Sequence, residues 1–202
     1  MRNAAKIMLA LAVASVGPMP VPAQEAPLEQ VEPVEPVEQT RPSSEEELQV
    51  LMTALRDREA ANPAKIEERI IELWSLSGSD TADLLLRRGR DAMNKEDFKR
   101  AVEHFTALID HAPDFAEAWN ARATAYFMMD EYGLSIADIQ HVLTLNPQHF
   151  GALAGLGIML EQSGKEAEAL TAFRASQRLN PHRDLVNEAV ERLAPQVDGR
   201  SL

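Results

Sequence analysis

The residues able to do chemistry are five histidines, a surplus of carboxylates and a cluster of glycines. Their spacing decides what they can do. His104, His111, His141, His149 and His182 contain no H-E-x-x-H pattern and no i, i+4 pair, the arrangement that offers zinc two imidazoles from one helical face. His104 and His111 are seven apart and share a helical face, where they read as solvated. His149 and His182 flank prolines and read as loop residues. The carboxylates of "SSEEEL" and "DTAD" fall at expected helix starts, where the helix dipole favours them without any catalytic role. "GALAGLGIML" carries Gly151, Gly155 and Gly157, but no strand precedes it, so it is no dinucleotide fingerprint and reads as close helix packing. Neither G-x-S-x-G nor a phosphate-cradling glycine loop occurs. There is no cysteine, which removes disulfides, thiol catalysis and cysteine metal sites. The sequence therefore predicts no catalytic constellation, no cofactor and no metal site, and a protein that is not an enzyme. A net charge of -12 also argues against a nucleic-acid partner, because phosphate binding needs a basic surface.

The elements around these residues are periodic. Pro113, Pro147 and Pro181 are spaced by 34 residues, in "HAPDF", "LNPQHF" and "LNPHRD". Before them come Ala101 and Phe105, Ser135 and Ile139, and Ala169 and Phe173, each a small residue one helical turn before a large one. Further back, Trp119, Ala123 and Tyr126 share a face, as do Leu153, Leu156, Gly157 and Leu160. Leu85, Gly89 and Ala92 fall likewise, with Arg88 intruding. Each unit reads as helix, short turn, helix, then a proline that ends the hairpin.

These spacings resemble the tetratricopeptide repeat family, whose pattern is W-x2-L-G-x2-Y, then A-x3-F, then P. Residues 82–115 match at Gly89, Ala101, Phe105 and Pro113; residues 116–149 at Trp119, Tyr126 and Pro147; residues 150–183 at Leu156, Gly157, Ala169, Phe173 and Pro181. Arg88 and Arg122 stand where the family has leucine, and Ser135 stands for its small alanine. The resemblance implies an all-α fold of antiparallel helical hairpins stacked as a right-handed superhelix, with a capping helix at 184–195. In that cap Leu185, Ala189 and Leu193 are expected to pack and Asp184 to cap or open the helix. Trp119 is expected to be largely buried between the helices of its own repeat.

The family lines its groove with the first helix of each repeat, which here implies Asp83, Leu86, Arg90 and Met93, then Glu117, Asn120, Thr124 and Phe127, then Gly151, Ala154, Ile158 and Glu161. The partner-groove candidates are Arg90, Met93, Asn120, Thr124, Phe127 and Ile158, with core packing the alternative for Met93, Phe127 and Ile158. The groove would hold a peptide or helix of a partner protein. Family members that clamp acidic chaperone tails use cations and asparagines, and at those positions this chain has Leu86, Arg90, Ala121, Gly151 and Gly155.

The N-terminal part differs in kind. Arg2 and Lys6, the apolar run from Ile7 to Val16, and Val21-Pro22-Ala23 predict a secretory signal peptide over 1–23, cut after about Ala23. The run is too short to span a membrane, so the mature chain is expected to have no span and to be periplasmic. Residues 24–44, rich in proline and glutamate, predict a disordered spacer. Residues 45–78 predict a degenerate helical hairpin, with Pro63 in the first turn of its second helix. Thr81 is the candidate cap of the helix that follows. The expected function is an exported adaptor or assembly factor of the cell envelope; the alternative is a self-associating protein that dimerises through 45–78.

Overall fold

The structure is a computed structural model and describes residues 43–199. The expected signal segment, and the expected spacer as far as residue 42, lie outside the described residues. Helix α1 (Ser44–Arg56) begins inside the stretch read as spacer. The reason is local: Ser43 Oγ accepts from Glu46 N–H while the Glu46 carboxylate accepts from Ser43 N–H, a reciprocal cap that satisfies two donors at once. Helix α2 (Pro63–Trp74) completes a hairpin with α1. Three further hairpins follow: α3 (Asp80–Asn94) with α4 (Phe98–His111), α5 (Ala116–Met128) with α6 (Tyr132–Leu145), and α7 (Phe150–Gln162) with α8 (Glu166–Leu179). Helix α9 (Asp184–Asp198) packs on α8.

One contact recurs inside the repeat hairpins. The Phe105 ring lies against the backbone at Gly89, so close that a Cβ there would stand 2.1 Å from the ring, well inside contact distance. Phe173 covers Gly157 in the same way, with 2.6 Å to such a Cβ. The middle hairpin carries Ala123 and Ile139 at these positions, both buried. A bare backbone faces the larger ring, and an alanine faces the smaller branched chain. The connecting turns repeat as well: Glu96, Asp130 and Gly164, again 34 residues apart, all adopt a left-handed backbone. Only Gly164 does so without a Cβ penalty.

Several local expectations need correction. Ser79, not Thr81, caps α3, its Oγ accepting from Ala82 N–H; Thr81 sits within the first turn. In α9 the packed residues are Val186, Ala189 and Leu193, while Leu185 is 57% exposed. Offsets of three and seven hold one face at 100° per residue, whereas offsets of four and eight drift away from it. The helix also runs past Pro195 to Asp198, where Val197 joins the core under α8 and Arg174 Nη2 pairs with Asp198 at 2.7 Å.

The hairpin α1–α2 is placed differently from a fourth stacked unit. Met52, Leu55 and Ile70 form one buried cluster with Phe150, at the start of α7, and Leu179, at the end of α8, packs against it. The hairpin therefore lies over the turns that join the second, third and last units, and α2 does not stack beside α3. Its buried apolar residues face the chain's own repeats, while Val50, Ile71 and Leu76 stay exposed.

The Gly–Phe contact gives a direct test. Gly89→Ala should cost about 1–3 kcal/mol through overpacking, despite a helix-propensity gain of about 1 kcal/mol. Adding Phe105→Ile, which rebuilds the Ala123–Ile139 pairing of the middle hairpin, should recover part of that loss. Urea unfolding of both single variants and the double measures the coupling, and additive effects would refute the contact.

Candidate functional site

The helices α3, α5 and α7 form one face, which bears a half-open cavity of about 170 Å³ between the second and third repeats. Asn120, Thr124 and Phe127 line it from α5, and Gly155 and Ile158 from α7. Ile139 and Ser135 of α6 reach it from behind. Its position follows from the repeat. Where the first and third hairpins bring a phenylalanine forward, the middle one brings only Ile139, and the missing volume remains as a hollow. Ser135, buried, donates its Oγ–H to Ala123 C=O at 2.7 Å and holds α6 against α5 beneath it. The cavity is mainly apolar, with the Asn120 amide, Thr124 and Ser135 as its polar groups; the Thr124 hydroxyl donates to Asn120 C=O.

Four of the predicted groove residues, Asn120, Thr124, Phe127 and Ile158, thus meet at one cavity. Phe127 also packs its ring against Tyr132, with centroids 5.7 Å apart. Met93 lies elsewhere, half-buried against the core of the first hairpin. Arg90 lies elsewhere too, donating from Nη2 to Ser75 Oγ at 3.0 Å and to Glu117 at 3.1 Å. Leu86 and Ala154, assigned to the groove by register, are buried core residues, because adjacent first helices close over them. Gly155 was read as close packing, together with Gly151 and Gly157. That holds for Gly157 under Phe173, but at Gly155 a Cβ would meet nothing within 4 Å, and the glycine opens on the cavity. Both sit on one helix rich in glycine, alanine and leucine, so spacing could not separate them.

Beside the cavity lies a buried polar cluster centred on Glu117. One carboxylate oxygen accepts from Arg90, and the other from Asn120 Nδ2 at 3.3 Å and from His149 Nε2 at 3.2 Å. His149 lies in the turn before α7, as expected of a loop residue, but is buried there. Its Nδ1 accepts from Ala152 N–H at 3.0 Å, capping α7, so in the neutral ring the proton is on Nε2 and is donated to Glu117. Trp74 of α2 stacks on the imidazole, with centroids 4.5 Å apart. The sequence signal for this role was present in the position of His149, immediately before α7, where caps belong. The other histidines are dispersed: His104 lies along α4, His111 reaches Ser79 Oγ, His141 stacks on Trp119, and His182 Nε2 donates to Asp57 C=O.

Trp119 is partly buried and packs against the core clusters on both sides of α5, in keeping with the expectation. Its indole N–H donates to Pro113 C=O at 2.8 Å, tying α5 back to the preceding turn. Arg122 explains the departure from the family's leucine. It makes two 2.8 Å bonds to Asp138, donates to Thr106 Oγ1, and lies near the rings of Trp119 and Tyr126. The Asp138 carboxylate holds the Arg122 guanidinium above its ordinary pKa, against burial. Arg88 is exposed and takes no part.

The comparisons with known proteins agree with this architecture. The Tetratricopeptide repeat family pattern matches residues 86–140 and 129–184. A TPR repeat-containing protein of Rhizobium etli is 35% identical over 71% of this chain and 71% of its own length. The chain belongs to the tetratricopeptide repeat family. The human Protein SGT1 homolog is 29% identical over 52% of this chain, but that match spans only 28% of its own length. Among solved structures, the first TPR of Spaghetti (RPAP3), bound to the HSP90 peptide SRMEEVD, superposes with a TM-score of 0.57 at 19% identity, covering 59% of this chain and 95% of that one. That likeness shows the superhelical fold.

Removing one member of the Arg122–Asp138 pair leaves the other as an uncompensated buried charge. Asp138→Ala should therefore cost about 3–5 kcal/mol, while Arg122→Leu with Asp138→Leu should regain most of it. Chemical denaturation reads both; an Asp138→Ala loss below about 1 kcal/mol would contradict burial of the pair.

Proposed function

We propose that this protein is a non-enzymatic protein-interaction module of the cell envelope, exported to the periplasm, whose cavity between α5 and α7 takes an apolar side chain from a peptide or helix of its partner. The observation that carries the reading is the cavity itself: an apolar hollow on the face of first helices, with Asn120 and Thr124 at its wall. A long apolar side chain suits that space, and the Asn120 amide and Thr124 hydroxyl offer polar contacts to a ligand backbone. An acidic tail like the one in the RPAP3 complex is a poor fit. The single cation at the clamp positions is Arg90, and it already faces Glu117. Export rests on Arg2, Lys6 and the apolar run Ile7–Val16. Residues 24–42 would then act as an acidic tether that holds the repeats away from the point of emergence.

Gly155 supplies a test that spares the fold. Gly155→Leu adds a side chain into open space and should raise helix propensity by close to 1 kcal/mol, so the melting temperature should hold or rise. Capture of the wild type's envelope partner should fall at least about tenfold, the loss of roughly 1.4 kcal/mol. Normal capture by a folded Gly155→Leu would place the partner on another surface. Gly157→Ala, facing Phe173, is the contrast and should lower stability. For export, the protein recovered from the periplasmic fraction should begin at Gln24 or within a residue or two of it; an intact Met1 there would exclude the cleaved signal.

A further inference from the structure

We propose that the α1–α2 hairpin is a releasable strap, pinned by Trp74, that covers the Arg90–Glu117 end of the groove and opens without unfolding the repeats. Its contact with the repeats is narrow. The apolar part is Trp74 stacked on His149 and tilted on Phe150, with centroids 4.5 and 5.0 Å apart, beside the small cluster around Ile70. Clefts of about 400 and 550 Å³ border the hairpin, one between α1 with Trp74 and the turn at Leu145–Gln148, the other between α2 and Arg90. Open clefts on both margins keep the interface small and bring solvent to its edge.

A few polar contacts fasten the strap at its edges. Glu67 accepts from Asn180 at 2.7 Å and lies 3.5 Å from Arg183 Nε; His182 donates to Asp57 C=O, and Arg90 to Ser75. Arg183 Nη1, however, is buried with no acceptor, a donor that water would satisfy once the strap lifts. The segment from Ser75 to Ser79 that joins strap to repeats contains Gly78, in a left-handed conformation with open space around it, which suits a hinge.

The strap also communicates with the cavity. Ser75, Arg90, Glu117 and Asn120 form one unbroken hydrogen-bonded chain, and Asn120 is a wall of the cavity. A ligand that continues along the groove towards α3 meets Trp74 and Ser75 and has to displace them. This consequence rests on the groove reading; the release itself does not.

Native-state hydrogen exchange on the full chain, without ligand, tests the release. The amides of α1 and α2 should exchange as one unit, at least about tenfold faster than the core amides of α4 to α8. Trp74→Ala should speed the α1–α2 unit by about tenfold or more and leave α5 to α8 unchanged, whereas Trp74→Phe, which keeps a ring on His149, should stay near the wild-type rate. Exchange of α1–α2 only in step with the repeats would overturn the proposal, as would early opening that ignores Trp74→Ala. Because no ligand is present, failure of the Gly155→Leu test leaves this measurement interpretable, and the reverse also holds.

Discussion

A flat aromatic ring pressed on bare helical backbone is the contact from which the repeat architecture follows. Phe105 on Gly89 and Phe173 on Gly157 set how near the two helices of a hairpin come, and that distance sets where the next hairpin begins. The cost of a mid-helix glycine, about 1 kcal/mol, is offset by the buried ring it admits. The same constraint creates the candidate site by its local relaxation. With Ile139 and Ala123 in the middle hairpin there is no ring to fill the space, and the hollow between α5 and α7 is the remainder. Repeat cohesion and the binding cavity are two outcomes of one packing rule applied to different side-chain volumes.

Electrostatics then adds what packing alone cannot. The middle repeat lacks the leucine that its relatives place in the first helix, and holds α4, α5 and α6 together through Arg122, Asp138 and Thr106. A bidentate guanidinium–carboxylate pair has a required geometry, so it fixes the mutual rotation of these helices more tightly than an apolar contact would. Glu117 has an analogous place at the groove. With three donors converging on it, it can be buried at the junction of α3, α5 and α7 without an unpaired charge. Trp74 seals this cluster from the side of α2, which gives the N-terminal hairpin a reason to lie on the turns rather than continue the stack.

The 34-residue register, the repeat helices and the family could be read from the chain by itself, because proline punctuation and small–large pairs are local and recur three times. Asn120, Thr124, Phe127 and Ile158 were placed on one face by the groove positions that the family resemblance implies. Arg90 and Met93 share that register yet lie away from the cavity. What diverts them is Glu117 in one case and the first hairpin's core in the other, both contacts between elements. The roles of His149 and Gly155 were likewise decided by partners distant in sequence: Trp74 and Glu117 for the histidine, and the absence of any neighbour for the glycine. The placement of α1–α2 depended most on tertiary structure. Its amphipathic pattern says that one face must be buried but not against what, and only the folded repeats, offering Phe150 and His149 where two turns meet, decide the surface it covers.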